Sequence, residues 1–157
     1  MALRQILTYD KDEILRKKSR RVETVDDRIK TLVEDMAETM EKANGAGLAA
    51  PQIGILKRIV VVDTGEGLMK LINPEIVKAE GQQLEVEGCL SVPGLYGIVK
   101  RPFRVYVIAM DENRRNIGFY LRGLAARAVC HEVDHLEGIL FLDKVEPNTL
   151  KNALVKE

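Results

Sequence analysis

The only two histidines of the 157-residue chain stand four residues apart, in His131-Glu132-Val133-Asp134-His135. On a helix that spacing stacks both rings on one face, one turn apart. Leu124 and Ala128 share the face, and Gly138 is placed to end the helix over residues 123–138. Two imidazoles so arranged can reach one metal ion from the same side. Glu132, next to the first ring, can stand beside the ion without binding it, as a carboxylate that manages the proton of a water. The rest of the fold has to bring a further ligand to that face.

Periodicity supplies the other elements. Residues 25–43 predict a helix, since Ile29, Leu32, Val33, Met36, Ala37, Met40 and Ala43 recur at three- and four-residue spacing. Asp26 and Asp27 suit its first turn. Asn44-Gly45 ends it, with the glycine in the left-handed conformation. Met36 and Met40 read as core. Residues 57–63 predict a buried strand, and residues 68–72 another, stopped by Asn73-Pro74. Residues 75–79 and 82–86 read as an antiparallel pair turned at Glu80-Gly81. Residues 97–110 alternate around Val105, Val107 and Ala109. Residues 111–116 are a polar turn, and residues 117–121 a last strand before the His helix. Strands lying between two long helices indicate an α+β fold. Antiparallel or mixed strands pack around a central C-terminal helix carrying the His-Glu-x-x-His motif, with a long N-terminal helix ahead of them. The length suits a single catalytic domain over 1–157, of which 145–157 is a short polar C-terminal tail.

Charge narrows the partners. With 24 basic and 24 acidic side chains, no net field draws the chain to nucleic acid or an anionic membrane. The one basic cluster, Arg16-Lys17-Lys18-Ser19-Arg20-Arg21, has acidic neighbours and reads as a solvated surface arm. Trp is absent and aromatics are 4%, which argues against a base-stacking platform. No apolar run is long enough to span a bilayer, and the first residues carry no secretory pattern. The expected compartment is the cytoplasm, where Cys89 and Cys130 stay reduced and serve metal binding or catalysis before a disulfide.

Residues 45–54, Gly-Ala-Gly-Leu-Ala-Ala-Pro-Gln-Ile-Gly, are small and uncharged. They lack the glycine spacing and the lysine of a phosphate loop. They form either a tight turn with close backbone packing or a wall where substrate backbone meets protein backbone, with Gln52 the one polar side chain pointing in. A catalytic site of the zinc type needs three protein ligands and an open position. The chain has no third histidine. Cys89, in a Gly-Cys-Leu loop after a strand, is the candidate; the alternative is a buried structural thiol.

Three segments together resemble the peptide deformylases: Gly45-Ala46-Gly47-Leu48-Ala49-Ala50-Pro51-Gln52, Glu87-Gly88-Cys89-Leu90-Ser91, and His131-Glu132-Val133-Asp134-His135. Order and spacing match as well, from about residue 3 to about residue 143. The resemblance implies one divalent ion, natively Fe(2+), replaceable by zinc, nickel or cobalt, and held by Cys89, His131 and His135. It implies Glu132 as general acid/base, and Gln52 with the backbone N–H of Leu90 as donors to the developing oxyanion. Gly47 and Gly45 would meet the substrate backbone as a strand joins a sheet edge. The implied reaction removes the formyl group from an N-formylmethionyl peptide, a nascent chain at the ribosome, and releases formate. No nucleic-acid motif and no membrane partner are implied. An apolar pocket would take the methionine side chain. A narrow slot beside Ala49 and Gly47 would take the formyl group.

Two rivals share the histidine turn: a zinc endopeptidase of the His-Glu-x-x-His type, and a non-enzymatic structural metal module closed by Cys130. The chain has Cys130 where many members have Gln. That residue sits about 100° round the helix from His131 and reads as a packed thiol. The tail holds only Lys151 and Lys156 where some members carry a longer basic helix that docks on the ribosome. Asp134 reads as the salt-bridge partner of a core arginine such as Arg101, in preference to orienting a ligand.

Overall fold

The computed structural model describes residues 2–153. The long N-terminal helix, α1 (Asp27–Lys42), starts where Asp26 Oδ1 accepts the N–H of Ile29 at 3.0 Å. Strands β1 (Gly47–Ala49), β2 (Ile59–Val62), β3 (Met69–Glu80), β4 (Gln83–Cys89), β5 (Val92–Arg101), β6 (Arg104–Met110) and β7 (Asn116–Arg122) follow. The His helix, α2 (Gly123–Leu136), comes next, and a short β8 (Lys151–Asn152) returns at the end. Every strand pair is antiparallel. One sheet runs β1-β2-β3-β6-β7 and the other β4-β5-β8.

The run Ile59-Val60-Val61-Val62 explains the layering. All four side chains are buried, which requires cover on both faces. Ile59 and Val61 pack with Ile29, Leu32, Val33, Met36 and Met40 of α1. Val60 and Val62 pack with Ala126, Val129, Cys130 and Leu136 of α2. The larger sheet is thus held between the two helices, and α2 has the sheet behind it. Leu15, Val92, Val99, Leu140 and Phe141 form a third cluster that ties the N-terminal segment to the smaller sheet.

Several local expectations change. Asn44, not Gly45, takes the left-handed conformation after α1, with φ 57°. A Cβ on Gly45 would lie 2.7 Å from Leu90 Cδ1, so that side chain would have to shift. Asn73-Pro74 does not stop the second strand. β3 continues through it with a register shift, because the Asn73 side chain replaces a strand partner: Oδ1 accepts Val22 N–H and Nδ2 donates to Val22 O, both at 2.8 Å. Residues 75–79 and 82–86 are strands but not partners. The chain parts at Gly81 (φ 69°), β3 pairing with β6 and β4 with β5. Residues 97–110 are two strands, broken at Pro102-Phe103, where proline has no N–H for a ladder. The basic cluster 16–21 is exposed in its side chains but not a free arm. Ser19 N–H donates to Leu136 O, and the Arg20 backbone bonds to Leu56 and Arg58. Residues 145–153 run back along β5; Lys156 lies outside the described residues.

Candidate active site and metal centre

α2 carries His131 and His135 into the interior, 7% and 1% exposed. Cys89 closes β4 just after a register shift between Glu87 and Cys89, and its Sγ stands 3.3 Å from Nε2 of His135. Ligand atoms of Cys89, His131 and His135 all lie within 4.8 Å of one another, the one such cluster among the described residues. Cys130 is not part of it. That thiol packs in the core between α2 and the large sheet, and burial pushes its pKa up to about 11.

A carboxylate aims the first ring. Glu87 Oε1 accepts from His131 Nδ1 at 2.8 Å, which leaves Nε2 with its lone pair free. Glu87 is itself held by Arg101, whose Nε and Nη2 donate at 2.8 and 2.9 Å, and by Arg127 Nη1. Burial alone would raise the pKa of Glu87, but Arg101 and His131 outweigh it and bring it down to about 2. Arg101 also donates to Asp134 at 2.6 Å, as the sequence suggested, and Lys144 reaches the same oxygen at 2.9 Å. Arg127 donates further to Val99 O at 2.8 Å, so α2 is pinned to the smaller sheet. Sequence reasoning assigned no role to Glu87, Arg127 or Ser91. One signal was there: Arg127 precedes His131 by four and so shares its face.

The cluster is short of positive charge. Burial opposes a proton on His131, yet Glu132, the Cys89 sulfur and Glu87 overcome that and raise its pKa well above the usual value. Burial and the neighbouring His131 push His135 well below it, keeping that ring neutral. The pull that draws a proton to His131 is the pull a cation between the three ligands would feel. A sulfur, two imidazoles and a supporting carboxylate suit a divalent transition metal, and the donor set fits.

Glu132 stands beside these atoms, its Oε2 4.0 Å from His131 Nε2. Its Oε1 is buried with no hydrogen-bond partner among the described residues. Burial lifts its carboxyl to about 7. Gln52 is buried too. Its Oε1 accepts Ala49 N–H at 2.9 Å, which turns the amide nitrogen toward Ser91 Oγ at 3.0 Å and Cys89 Sγ at 3.6 Å. A cleft of about 330 Å³ opens over the cluster, walled by Gly45–Gly47 on one side and Val86–Leu90 on the other, with Leu124 at its mouth. Its two walls lead to the outer strands β1 and β4 of the two sheets.

A family model described as polypeptide deformylase matches residues 3–151. The peptide deformylase of Acetivibrio thermocellus is 60% identical over 145 residues, covering 92% of this chain and 85% of that one. The peptide deformylase of Caldicellulosiruptor bescii is 59% identical over 145 residues, covering 92% and 87%. The crystal structure of a peptide deformylase from Thermotoga maritima superposes with a TM-score of 0.90 at 38% identity, covering 92% and 99%.

Proposed function

The chain belongs to the peptide deformylase family, and on that premise we propose how its residues divide the work. The enzyme is a metal-dependent hydrolase that removes the N-formyl group from formylated peptides. One observation carries the assignment of roles: a sulfur and two imidazoles converge within 4.8 Å beside the buried carboxyl of Glu132.

Cys89, His131 and His135 would hold the ion, with Fe(2+) as the native metal. When bound, a divalent ion supplies Lewis acidity, letting water ionise near neutral pH and drawing electron density from the formyl carbonyl. Glu132 takes the proton of the attacking water as its oxygen bonds to the formyl carbon. It then returns that proton to the amine nitrogen as the C–N bond breaks and formate leaves. Burial, which opposes the charged form of this carboxyl, helps it hold the proton between the two transfers. Gln52 Nε2 and the Leu90 N–H donate to the oxyanion. The bond from Ala49 N–H to Gln52 Oε1 supports this, because it presets the amide before substrate arrives. Glu87 sets the tautomer of His131. Gly45 and Gly47 meet the substrate backbone, which joins the free edge of β1. Residues 1–157 act as one catalytic unit.

The biological substrate is then the formylmethionyl end of a nascent chain at the ribosome, in the cytoplasm. The protein is to be purified anaerobically, its metal determined, and formate release measured on a formyl-Met peptide. Iron with rapid formate release supports the reading. Cleavage of internal peptide bonds in casein without deformylation would replace it with the endopeptidase.

A further inference from the structure

The two oxyanion donors come from separate parts of the chain. Gln52 lies in the short helical turn Ala50–Ile53 that follows β1, and Leu90 in the connection between β4 and β5. Two links join those parts. The first is the side chain of Ser91, which is 0% exposed and takes no part in the walls of the cleft. Its Oγ accepts from Gln52 Nε2 at 3.0 Å. That nitrogen carries two hydrogens. With Gln52 Oε1 held by Ala49 N–H and one hydrogen taken by Ser91, the second is left to the Cys89 side, where Sγ lies 3.6 Å away. The second link is backbone. Leu7 N–H donates to Gln52 O at 2.7 Å, and Tyr9 N–H donates to Ser91 O at 2.9 Å. Residues 7–9 thus strap together two positions 39 apart in the chain. The strap is itself fixed. Thr8 N–H donates to Asp12 Oδ2 at 2.9 Å, Thr8 O accepts Lys11 and Asp12 N–H at 3.1 and 3.0 Å, and Leu7 packs on the third core cluster.

We propose that Ser91 is a positioning residue for deformylation: held by the strap, it aims the remaining Gln52 N–H and fixes its place relative to the Leu90 N–H. The inference rests on the oxyanion role of Gln52. Ser91 has no face on the cleft, so it acts through that amide. The bond at Oε1 alone lets the amide pivot about one contact, and the bond to Ser91 supplies the second fixed point. A donor set in place beforehand needs no reorganisation as charge develops on the formyl oxygen. That charge is largest in the transition state, so the gain falls on kcat rather than KM.

The test is a double-mutant cycle on formate release by the metal-loaded full chain, with a formyl-Met peptide as substrate. Gln52→Leu keeps the volume and removes the donor, and should lower kcat on the order of a hundredfold. Ser91→Ala should lower kcat about tenfold with KM and metal content unchanged, since it misaims the donor without removing it. In the Gln52→Leu background Ser91→Ala should cost nothing further, because the group it serves is gone. A cost that adds in full overturns the proposal and makes Ser91 ordinary packing. An unchanged kcat for Ser91→Ala, or metal lost in step with activity, overturns it too. If Gln52→Leu keeps the wild-type kcat, the oxyanion role of Gln52 falls and the proposal with it. No formate from the wild type overturns the deformylase reading itself. Should Ser91→Ala not fold, Tyr9→Pro tests the same arrangement. Tyr9 is the second residue of the turn closed by Lys11 N–H on Thr8 O, a position that favours proline. The change removes one N–H from the strap, and should lower kcat further than Tyr9→Ala, which keeps that N–H. Equal kcat in the two variants overturns the proposal.

Discussion

A Cβ placed on Gly47 would lie 2.5 Å from Oε2 of Glu132 and 2.9 Å from its Cδ. The backbone of β1 and the carboxylate of α2 are therefore in contact, and only glycine leaves room for both. Gly47→Ala must push Glu132 aside. A displacement of about 1 Å at a reacting group costs on the order of a hundredfold in rate. Formate release is expected to fall by that much while metal analysis shows full occupancy.

Glu132 ligates nothing in the cluster, and its Oε1 has no protein partner among the described residues. Glu132→Gln keeps the shape and removes the base. Metal content should stay at the wild-type level while kcat drops by about 10² to 10⁴. Loss of metal in step with activity would show Glu132 to be a ligand.

Glu87 joins His131 to two arginines. Glu87→Ala leaves Arg101 and Arg127 buried beside each other, and is expected to cost about 3–5 kcal/mol of stability. Glu87→Gln should fold better and still weaken metal binding about 10- to 100-fold, because His131 loses its anionic partner. Competition with a chelator, alongside urea unfolding, separates the two effects.

The same carboxylate sets an acid limit. Its pKa is about 2 in the folded protein against an ordinary 4.5. A depressed acid contributes its stability above the unfolded value and loses it as pH falls through the folded one. About 3 kcal/mol is therefore present above pH 4.5 and disappears progressively toward about pH 2. Urea unfolding of metal-free protein between pH 5 and pH 2.5 should show this loss, and Glu87→Gln should reduce it.

Only one of the two thiols should respond to metal removal. Cys130 is 6% exposed with its pKa near 11, and stays inert to iodoacetamide at pH 8. Cys89 is partly exposed and sits in the ligand cluster. Mass spectrometry should find no modification of the metal-loaded enzyme, and a single one, on Cys89, after chelation.

Local order determined much of this protein. The three- and four-residue spacing of Ile29 to Met40 makes α1, the four-residue run Ile59-Val60-Val61-Val62 makes a strand buried on both faces, and the two histidines share a helix face because 3.6 residues make a turn. These are properties of a chain's own next few residues, and they are legible without a fold. Strand partners were not. The alternation in residues 75–79 and 82–86 shows that each is a strand but carries nothing about which neighbour it bonds. Only tertiary structure decided that Asn73 would act as a strand partner for Val22. Only it decided that Glu87 and Arg127, whose charges suggest surface, would be buried with the core Arg101 behind His131. Charges survive in an interior when they neutralise one another, and the residues that do so here come from β4, β5 and α2, up to 40 positions apart.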